Sequence, residues 1–218
     1  RDRFGIKPFY YSLDANRLRF ASNTQALLAV GDVDTSLDAE ALHFQFTLHA
    51  VVPAPRTVLK GIRKLEPGHS MRIDAKGNRT VKCYWHLDAR RPAEALSEAQ
   101  WIDAVHDALR AAVKKRNEVA DVPVGVLLSG GLDSSLLVAL LAEIGVEGFH
   151  TFSVGFEDAP EEVGSEFEYS DQVVAMYDTA HRKIQVPNAE VLQRLPEAVD
   201  AMAEPMFGQD AVAFYLLA

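Results

Sequence analysis

The chain has 218 residues, 48% of them hydrophobic, which is enough for a packed core in one large or two small domains. Its formal net charge of -9 argues against general affinity for nucleic acid or for an anionic membrane surface, because both require a basic face. No apolar run is long enough to predict a membrane-spanning helix. The single cysteine, Cys83, cannot form an internal disulfide, so we expect a reducing, cytoplasmic compartment.

The two ends of the chain resemble the interior of a longer sequence. The chain begins at Arg1 rather than at a methionine, and it stops within the apolar stretch VAFYLLA, which contains no capping or helix-breaking residue. We therefore expect an internal piece of a longer protein.

The first part of the chain has the pattern of β-rich α+β structure. A hairpin is predicted over residues 7–21, where the strand-like stretches KPFYYS and RLRFAS flank the turn-like LDAN. A helix is predicted in TSLDAEALHFQFTLH, with Thr35 and Asp38 as a capping box. A second hairpin is predicted in SMRIDAKGNRTVKCYW, and we expect Cys83 in its second strand to be a core or half-buried thiol.

The composition then changes, and the charged, proline-containing stretch HLDARRPAEAL predicts a linker. Ser97 and Gln100 predict the capped start of a helix. Four apolar residues repeat along it and predict one buried stripe: Trp101, Val105, Leu109 and Val113. Strands and helices alternate from there, which predicts an open parallel sheet with flanking helices. The expected division is therefore residues 1–85, a linker over 86–97 and an α/β region over 98–218.

The most informative stretch is a glycine turn between a predicted strand and a helix that starts at about Ser134: VLLSGGLDSSLLVALLAEIG. It is not a Walker A loop, since no lysine follows the glycines, and it is not a G-x-G-x-x-G turn, since the glycines are adjacent. Gly130 and Gly131 permit a tight turn and let a ligand approach the backbone amides. Serine hydroxyls and a helix N-terminus favour an anion at this place. The pattern predicts a phosphate site, and a plain strand-to-helix turn is the structural alternative.

Asp133 carries the same charge sign as a phosphate in this predicted anion site. Two roles would reconcile the carboxylate with its position. It could cap the helix by accepting backbone N–H bonds, or it could hold a Mg²⁺ ion that bridges the carboxylate and the phosphate.

The loop SGGLDSS resembles the pyrophosphate-binding loop of the PP-loop ATP pyrophosphatases, and its flanks in VPVGVLLSGGLDSSLLVALLAE resemble the asparagine synthetases in particular. RDRFGIKPFYY is similar to the end of a glutamine-hydrolysing, class II amidotransferase domain, and PAPRTVLKGIRKLEPGH and CYWHL are similar to the stretch leading out of it. HTFSVGFED, EFEYSDQVV and EPMFGQDAVAFYLL resemble the synthetase domain. Together these stretches cover most of the chain in the order of the family.

The resemblance implies an α+β region, the carboxyl-terminal part of an N-terminal-nucleophile-type glutaminase, followed by a truncated α/β domain of the PP-loop, adenine nucleotide alpha hydrolase-like type. It implies that glutamine supplies ammonia, that ATP adenylates a carboxylate with release of pyrophosphate, and that ammonia displaces AMP. ATP and Mg²⁺ are the implied cofactors. Glutamine and a carboxylate, with aspartate first, are the implied substrates, and a homodimer is an assembly that the resemblance allows.

The residues implied to bind ATP share one loop and one neighbouring strand: Leu128, Ser129, Gly130, Gly131, Asp133, Ser134 and Val154. Asp133 would also bind Mg²⁺, and Val154 would lie against adenine. Glu204 and Asp210 in EPMFGQD are candidates for the acceptor pocket, and a surface loop is the other interpretation. The cysteine nucleophile of the family would lie upstream of Arg1, so we expect no catalytic residue within this piece.

Three hypotheses about function stay open. The first is asparagine synthesis. The second is the same chemistry on another acceptor, in an N-acetylglutaminylglutamine-type peptide amidotransferase or a cyclising amide synthetase. Asn23 in FASNTQALL, where many relatives carry an acidic residue, and the stretch HAVVPAPRT favour the peptide alternative. The third is a non-catalytic nucleotide-binding fragment, against which the intact phosphate loop argues.

Overall fold

The computed structural model describes residues 1–91, 95–158, 164–206 and 209–217, with the backbone alone at 209, 210 and 217. In chain order the elements are β1 (Tyr10–Leu13), β2 (Leu18–Ala21), α1 (Thr24–Ala29), α2 (Ala39–Thr47), β3 (Arg63–Lys64), β4 (His69–Ile73), β5 (Arg79–Cys83), α3 (Glu98–Glu118), β6 (Gly125–Leu127), α4 (Leu132–Glu143), β7 (His150–Phe156), α5 (Phe167–Tyr177), β8 (Ala180–Val186), α6 (Asn188–Ala201) and α7 (Gln209–Leu217). They separate into two compact units. Unit 1 contains Arg1–Arg90 and Pro196–Tyr215, and unit 2 is built on Arg91–Leu195.

The amino-terminal hairpin of unit 1 confirms the prediction over residues 7–21. β1 and β2 pair antiparallel, with Tyr10 opposite Ala21 and Leu13 opposite Leu18. β1 also pairs antiparallel with the short β3, which completes a three-stranded sheet. The polar turn between β1 and β2 is closed by the carboxylate of Asp14, which accepts hydrogen bonds from nearby backbone N–H groups.

Helix α2 begins later than the sequence predicts over residues 35–49. Its N-cap is Asp38 alone, whose side chain accepts the N–H groups of the first turn. The predicted capping box of Thr35 with Asp38 is therefore wrong. The reason is that Leu37 forms an isolated antiparallel bridge with Leu59, which keeps the chain extended up to the cap.

The second hairpin, β4 with β5, is also confirmed, and it pairs antiparallel from His69 opposite Cys83 to Ile73 opposite Arg79. The prediction of a core or half-buried Cys83 is wrong, because its thiol is exposed. Every residue of β5 is exposed, and β4 and β5 form a two-stranded sheet of their own. Strand formation thus does not imply burial at this edge of unit 1.

The core of unit 1 contains a helix that the sequence analysis did not predict. Asn23 is the N-cap of α1 and accepts the N–H of Ala26 at 2.8 Å, which is the ordinary capping role of an asparagine. The helix buries Leu27, which packs with Tyr10 and Ile62. The signal that could have identified α1 is the cap residue followed by the helix-forming run TQALLA.

Unit 2 has the parallel sheet that the alternating pattern predicts. Its strand order is β6-β7-β8, and all neighbouring strands run parallel. Helices α3, α4 and α5 complete a mixed α/β arrangement. Its core cluster consists of buried residues from these elements and the adjoining turns: Val113, Val126, Leu128, Val138, Leu140, Leu141 and Phe149.

The start of α3 is as predicted, whereas its apolar stripe is mostly exposed. Ser97 and Gln100 form a reciprocal capping box, with bonds of 2.9 and 3.3 Å. Of the predicted stripe only Val113 is buried, while Trp101, Val105 and Leu109 are 46%, 52% and 37% exposed. These three residues line a cleft of about 370 Å³, whose lining residues all belong to α3 and α4. Among the helices in the described ranges, none has the length and apolar character needed to cross a membrane.

Candidate functional site

The glycine turn lies at the carboxyl end of β6, the edge of an open parallel sheet where ligands bind in α/β proteins. β6 ends at Leu127 and α4 begins at Leu132, so the turn is only four residues long. The helix begins two residues before the predicted start at about Ser134. This places Asp133 within the first helical turn rather than before it.

Leu128 fixes the turn to the sheet. Its N–H donates to the carbonyl of Phe152 at 2.7 Å, and its own carbonyl accepts the hydroxyl of Ser153. Its side chain is only 1% exposed and packs in the core of unit 2. Leu128 therefore anchors the turn to the sheet and to the core of unit 2.

The fold places different demands on the two glycines of the turn. Gly130 has a φ of +85°, and a Cβ there would lie 2.6 Å from the Cβ of Tyr169 and 2.7 Å from the backbone N of Ser170. Gly131 has an ordinary φ of -71°, and a Cβ there would meet only the hydroxyl of Ser129, at 3.4 Å. The fold thus requires glycine at 130 but not at 131. An absent side chain at 131 leaves the backbone of the turn open to a ligand.

Two serine hydroxyls converge on this open backbone. The hydroxyl oxygens of Ser129 and Ser134 lie 3.0 Å apart. The Ser134 hydroxyl donates to the carbonyl of Gly131 at 3.2 Å, and the Ser129 hydroxyl accepts the N–H of Gly131 at 3.3 Å. Because hydroxyl hydrogens rotate to suit a new acceptor, both groups can donate to an anion that enters the turn.

The N-terminus of α4 has no side-chain cap. Its N-cap residue is Gly131, and within the described parts of the chain no side chain accepts a hydrogen bond from the first turn. Asp133 lies exposed in that turn and makes no hydrogen bond or ion pair within the described residues, so the predicted capping role of Asp133 is wrong. The free N–H groups of a helix start and its dipole attract a negative charge. The carboxylate of Asp133 stands beside them.

Val154 lies on β7 at the level of the turn. The register places Leu127 opposite Phe152, so Val154 is two residues closer to the carboxyl edge of the sheet. It is half-buried and lies beside Ile184 of β8. This position fits an apolar wall next to a ligand held at the turn.

The two acceptor-pocket candidates lie in different surroundings. Glu204 belongs to unit 1, where its carboxylate accepts the hydroxyl of Tyr10 at 2.7 Å and pairs with the amine of Lys64 at 2.8 Å. Asp210 falls in the first turn of α7, and its side chain is outside the described part of the chain, as are Phe207 and Gly208. Tyr10 and Lys64 were missed in the sequence analysis, because nothing local connects them with a glutamate so distant along the chain.

Within the described residues, no group of three or more His, Cys, Asp or Glu side chains is arranged to hold a metal ion. Asp133 is the acidic residue in the first turn of α4. Such a site suits Mg²⁺, which is commonly bound through one or two carboxylates together with substrate phosphates and water. The open backbone at Gly131 leaves room for an anion, and the uncapped helix start would attract one.

Comparison with known proteins identifies both halves of the chain. Residues 104–218 match the family model described as Asparagine synthase, and residues 1–85 match the Glutamine amidotransferase domain. An asparagine synthetase (glutamine-hydrolyzing) 1 of Bacillus subtilis is 33% identical over 222 residues, covering 100% of this chain and 33% of that protein. A putative asparagine synthetase (glutamine-hydrolyzing) 2 of Methanocaldococcus jannaschii is 35% identical over 185 residues, covering 83% of this chain and 34% of that protein.

A relative with a different name is the amidase chyE of Penicillium rubens, 33% identical over 150 residues, covering 68% of this chain and 21% of that protein. The chain spans about a third of the length of the asparagine synthetases that it matches. The Asparagine synthase match alone extends over more than half of the chain. The chain therefore belongs to the glutamine-hydrolysing asparagine synthetase family.

Proposed function

We propose that the full-length protein is a carbon–nitrogen ligase that makes asparagine from aspartate, with glutamine as the nitrogen donor and ATP as the energy source. A carboxylate oxygen of aspartate attacks the α-phosphorus of ATP, and the bond to the bridging oxygen of pyrophosphate breaks. Ammonia from glutamine then attacks the acyl carbon of the adenylate. AMP leaves with the bonding electrons, and the nitrogen loses a proton to give the amide.

The observation that carries this proposal is the open phosphate cradle at the start of α4. The helix has no side-chain cap, the backbone at Gly131 is uncovered, and the hydroxyls of Ser129 and Ser134 converge there. Negative charge grows on pyrophosphate as it leaves, and prearranged N–H and O–H donors stabilise such developing charge. A P-loop lysine is absent from the turn. This agrees with a reaction in which pyrophosphate is released rather than one in which the γ-phosphate is transferred.

Each predicted ATP residue has a role in this cradle. Ser129 and Ser134 donate to phosphate oxygens, Gly131 admits them to the backbone, and Gly130 sets the bend of the turn. Leu128 holds the turn against the sheet, and Val154 lines the proposed adenine-binding position. Asp133 is the residue that would hold Mg²⁺, which when bound neutralises phosphate charge.

The family matches support the remaining parts of the proposal. Residues 1–85 are the end of a glutaminase domain of the N-terminal-nucleophile type, 86–97 a linker, and 98–218 the start of a PP-loop domain. Glu204 and Asp210 belong to the segment that shapes the acceptor pocket. A homodimer is the assembly that we propose for the full-length enzyme, and its nucleophilic cysteine lies outside this chain.

The test uses the full-length enzyme with glutamine, ATP and Mg²⁺, and it measures AMP, pyrophosphate and glutamate with different carboxylates. Asparagine synthesis predicts AMP formation that depends on aspartate, with one AMP for each asparagine. AMP formation with a glutaminyl dipeptide but not with aspartate would show that the acceptor is a peptide. The adenylation and amidation chemistry would then stand unchanged. An active glutaminase that forms no AMP with any carboxylate would contradict the ligase function.

A further inference from the structure

A short segment of the synthase region is bound by side chains of the amidotransferase region. We call residues 202–205, MAEP, the strap. The strap lies within the residues that match the Asparagine synthase family, and its partners lie within those that match the Glutamine amidotransferase domain. Both sets belong to unit 1, so the strap is part of the same compact body as its partners.

The backbone of the strap is held by three polar side chains. Each donates to a different strap carbonyl: Gln25 to Met202, Thr24 to Ala203 and Gln45 to Pro205. Gln45 is 3% exposed, and its amide donates to Pro205 at 2.7 Å. A buried amide without a hydrogen-bond partner costs free energy. The hydrogen bond from Gln45 therefore stabilises the strap in this position. Ala203 also packs against the core cluster that contains Tyr10.

The side chain of Glu204 is held by Lys64 and Tyr10. Lys64 lies 2.8 Å from Oε1 and 2.9 Å from Oε2, and the Tyr10 hydroxyl donates to Oε1 at 2.7 Å. The side chains of Lys64 and Glu204 are only 11% and 19% exposed. Lys64 also donates to the carbonyl of Val52 at 2.6 Å, which fixes the direction of its amine. Removing one partner would leave the other charge buried without compensation.

Tyr10 acts as a neutral donor in this group. Its burial, together with the hydrogen bond to Glu204 and the negative charge there, raises the pKa of Tyr10 above its usual value. The phenol therefore keeps its proton. With both oxygens engaged by Lys64 and Tyr10, Glu204 serves as an anchor rather than as a free carboxylate.

We propose that Lys64 and Tyr10 are positioning residues for the synthase reaction: by holding Glu204 they fix the strap, within which the proposed acceptor segment begins. This inference rests on the proposed function and extends it. It makes the amide-forming chemistry depend on two side chains of the amidotransferase region that lie outside the phosphate cradle. Their contribution is to place the acceptor, so their loss acts on the synthase reaction and spares the hydrolysis of glutamine.

The experiment measures two reactions of the full-length enzyme separately. Glutamine hydrolysis is followed as glutamate, and adenylation is followed as AMP with ammonium chloride as the nitrogen donor, which bypasses the glutaminase. For Lys64→Ala we expect AMP formation to fall at least tenfold with a raised KM for aspartate, while glutamine hydrolysis stays within twofold. Lys64→Arg keeps the charge and restores at least half of the AMP rate. Tyr10→Phe gives a smaller loss of about threefold in the same direction.

The matched control is Arg63→Ala, because Arg63 is an exposed cation on the same strand and takes no part in the ion pair with Glu204. It leaves both rates unchanged. The exchange Lys64→Glu with Glu204→Lys recovers part of the AMP rate lost in Lys64→Ala. A purely structural role would lower both rates and the unfolding temperature together, and that result, or an unchanged AMP rate in Lys64→Ala, overturns the positioning role. Unaltered enzyme that forms no AMP with any carboxylate overturns the proposed function itself.

Discussion

Helices α2 and α4 begin in opposite ways. α2 starts at Asp38, whose carboxylate accepts two N–H groups of the first turn and pairs with Arg56 at 2.7 Å. The N-cap of α4 is Gly131, and no side chain among the described residues accepts a hydrogen bond from the first turn of this helix. A capped start has satisfied its own backbone donors, whereas an uncapped start in an exposed turn leaves them to solvent or to a ligand.

The glycines sharpen this comparison. Gly130 is required by the backbone, since its φ is positive and α5 lies too close for a Cβ. Gly131 is required by neither condition, so the fold alone gives no reason for it. Glycine at a position where the fold does not require it is expected where a bulky anion approaches the backbone. Under our proposal, the start of α2 contributes to stability and the start of α4 contributes to binding.

The largest effect is expected at Asp133. For Asp133→Ala in the full-length enzyme, we predict that AMP formation falls at least about a hundredfold, because the turn would lose the carboxylate that we propose as the Mg²⁺ ligand. Glutamine hydrolysis stays within about twofold, since it belongs to the other region. Separate assays of AMP and glutamate check this. Glu147→Ala, an exposed acidic residue after α4, is the control. Equal loss of both activities in a folded Asp133→Ala variant would remove Asp133 from the ATP site.

The glycine pair gives the next effect. Gly131→Ala should weaken binding of ATP with Mg²⁺ about tenfold, since its methyl group enters the cradle, and it should change the free energy of unfolding by no more than about 0.5 kcal/mol. Gly130→Ala should destabilise the fold by about 2 kcal/mol, because of its positive φ and the close approach of α5. Calorimetry and denaturant unfolding check the two variants. Unchanged ATP affinity in Gly131→Ala would show that this backbone does not contact phosphate.

The smallest effect is expected at Asp38, the N-cap of α2. Asp38→Ala should lower the free energy of unfolding by about 1 kcal/mol and leave ATP affinity unchanged. Partial burial would raise the pKa of Asp38, but the hydrogen bonds from Ala41, Arg56 and Glu40 outweigh it and lower the pKa below its usual value.

A lowered pKa in the folded state means that the ionised carboxylate stabilises the fold above the ordinary pKa of about 4. That contribution is lost as the pH falls through the lowered value. The stability difference between the wild type and Asp38→Asn, which keeps a capping oxygen but no charge, should thus shrink between pH 6 and pH 2. A difference that stays constant over this range would contradict the assigned cause.

Local patterns predicted the elements well where the determinants are close in sequence. The two hairpins, the capping box of Ser97 with Gln100 and the parallel sheet all depend on residues a few positions apart or on simple alternation. The glycine turn between a strand and a helix was also recognisable, because its strand, glycines and helix are contiguous. Its helix start was placed two residues late, since the backbone rather than a capping side chain determines it.

The burial of a residue depends on which other elements pack over it, and the periodicity of the sequence does not contain that information. The spacing of Trp101, Val105 and Leu109 correctly gives one apolar face, but that face borders a cleft. Cys83 lies in a strand as predicted, yet the strand is exposed on all five residues. The ion pair of Lys64 with Glu204 joins positions far apart in the chain, and only the folded structure brings them together.

The most direct test of the central claim is amide hydrogen exchange of the full-length enzyme with and without ATP and Mg²⁺. The peptide that covers residues 128–135 reports on the uncapped start of α4, and a peptide over 38–42 reports on the capped start of α2 in the same sample. We predict that the nucleotide slows exchange in 128–135 and leaves 38–42 unchanged. Saturating nucleotide with unaltered exchange in 128–135 would contradict the assignment of the phosphate cradle to this turn.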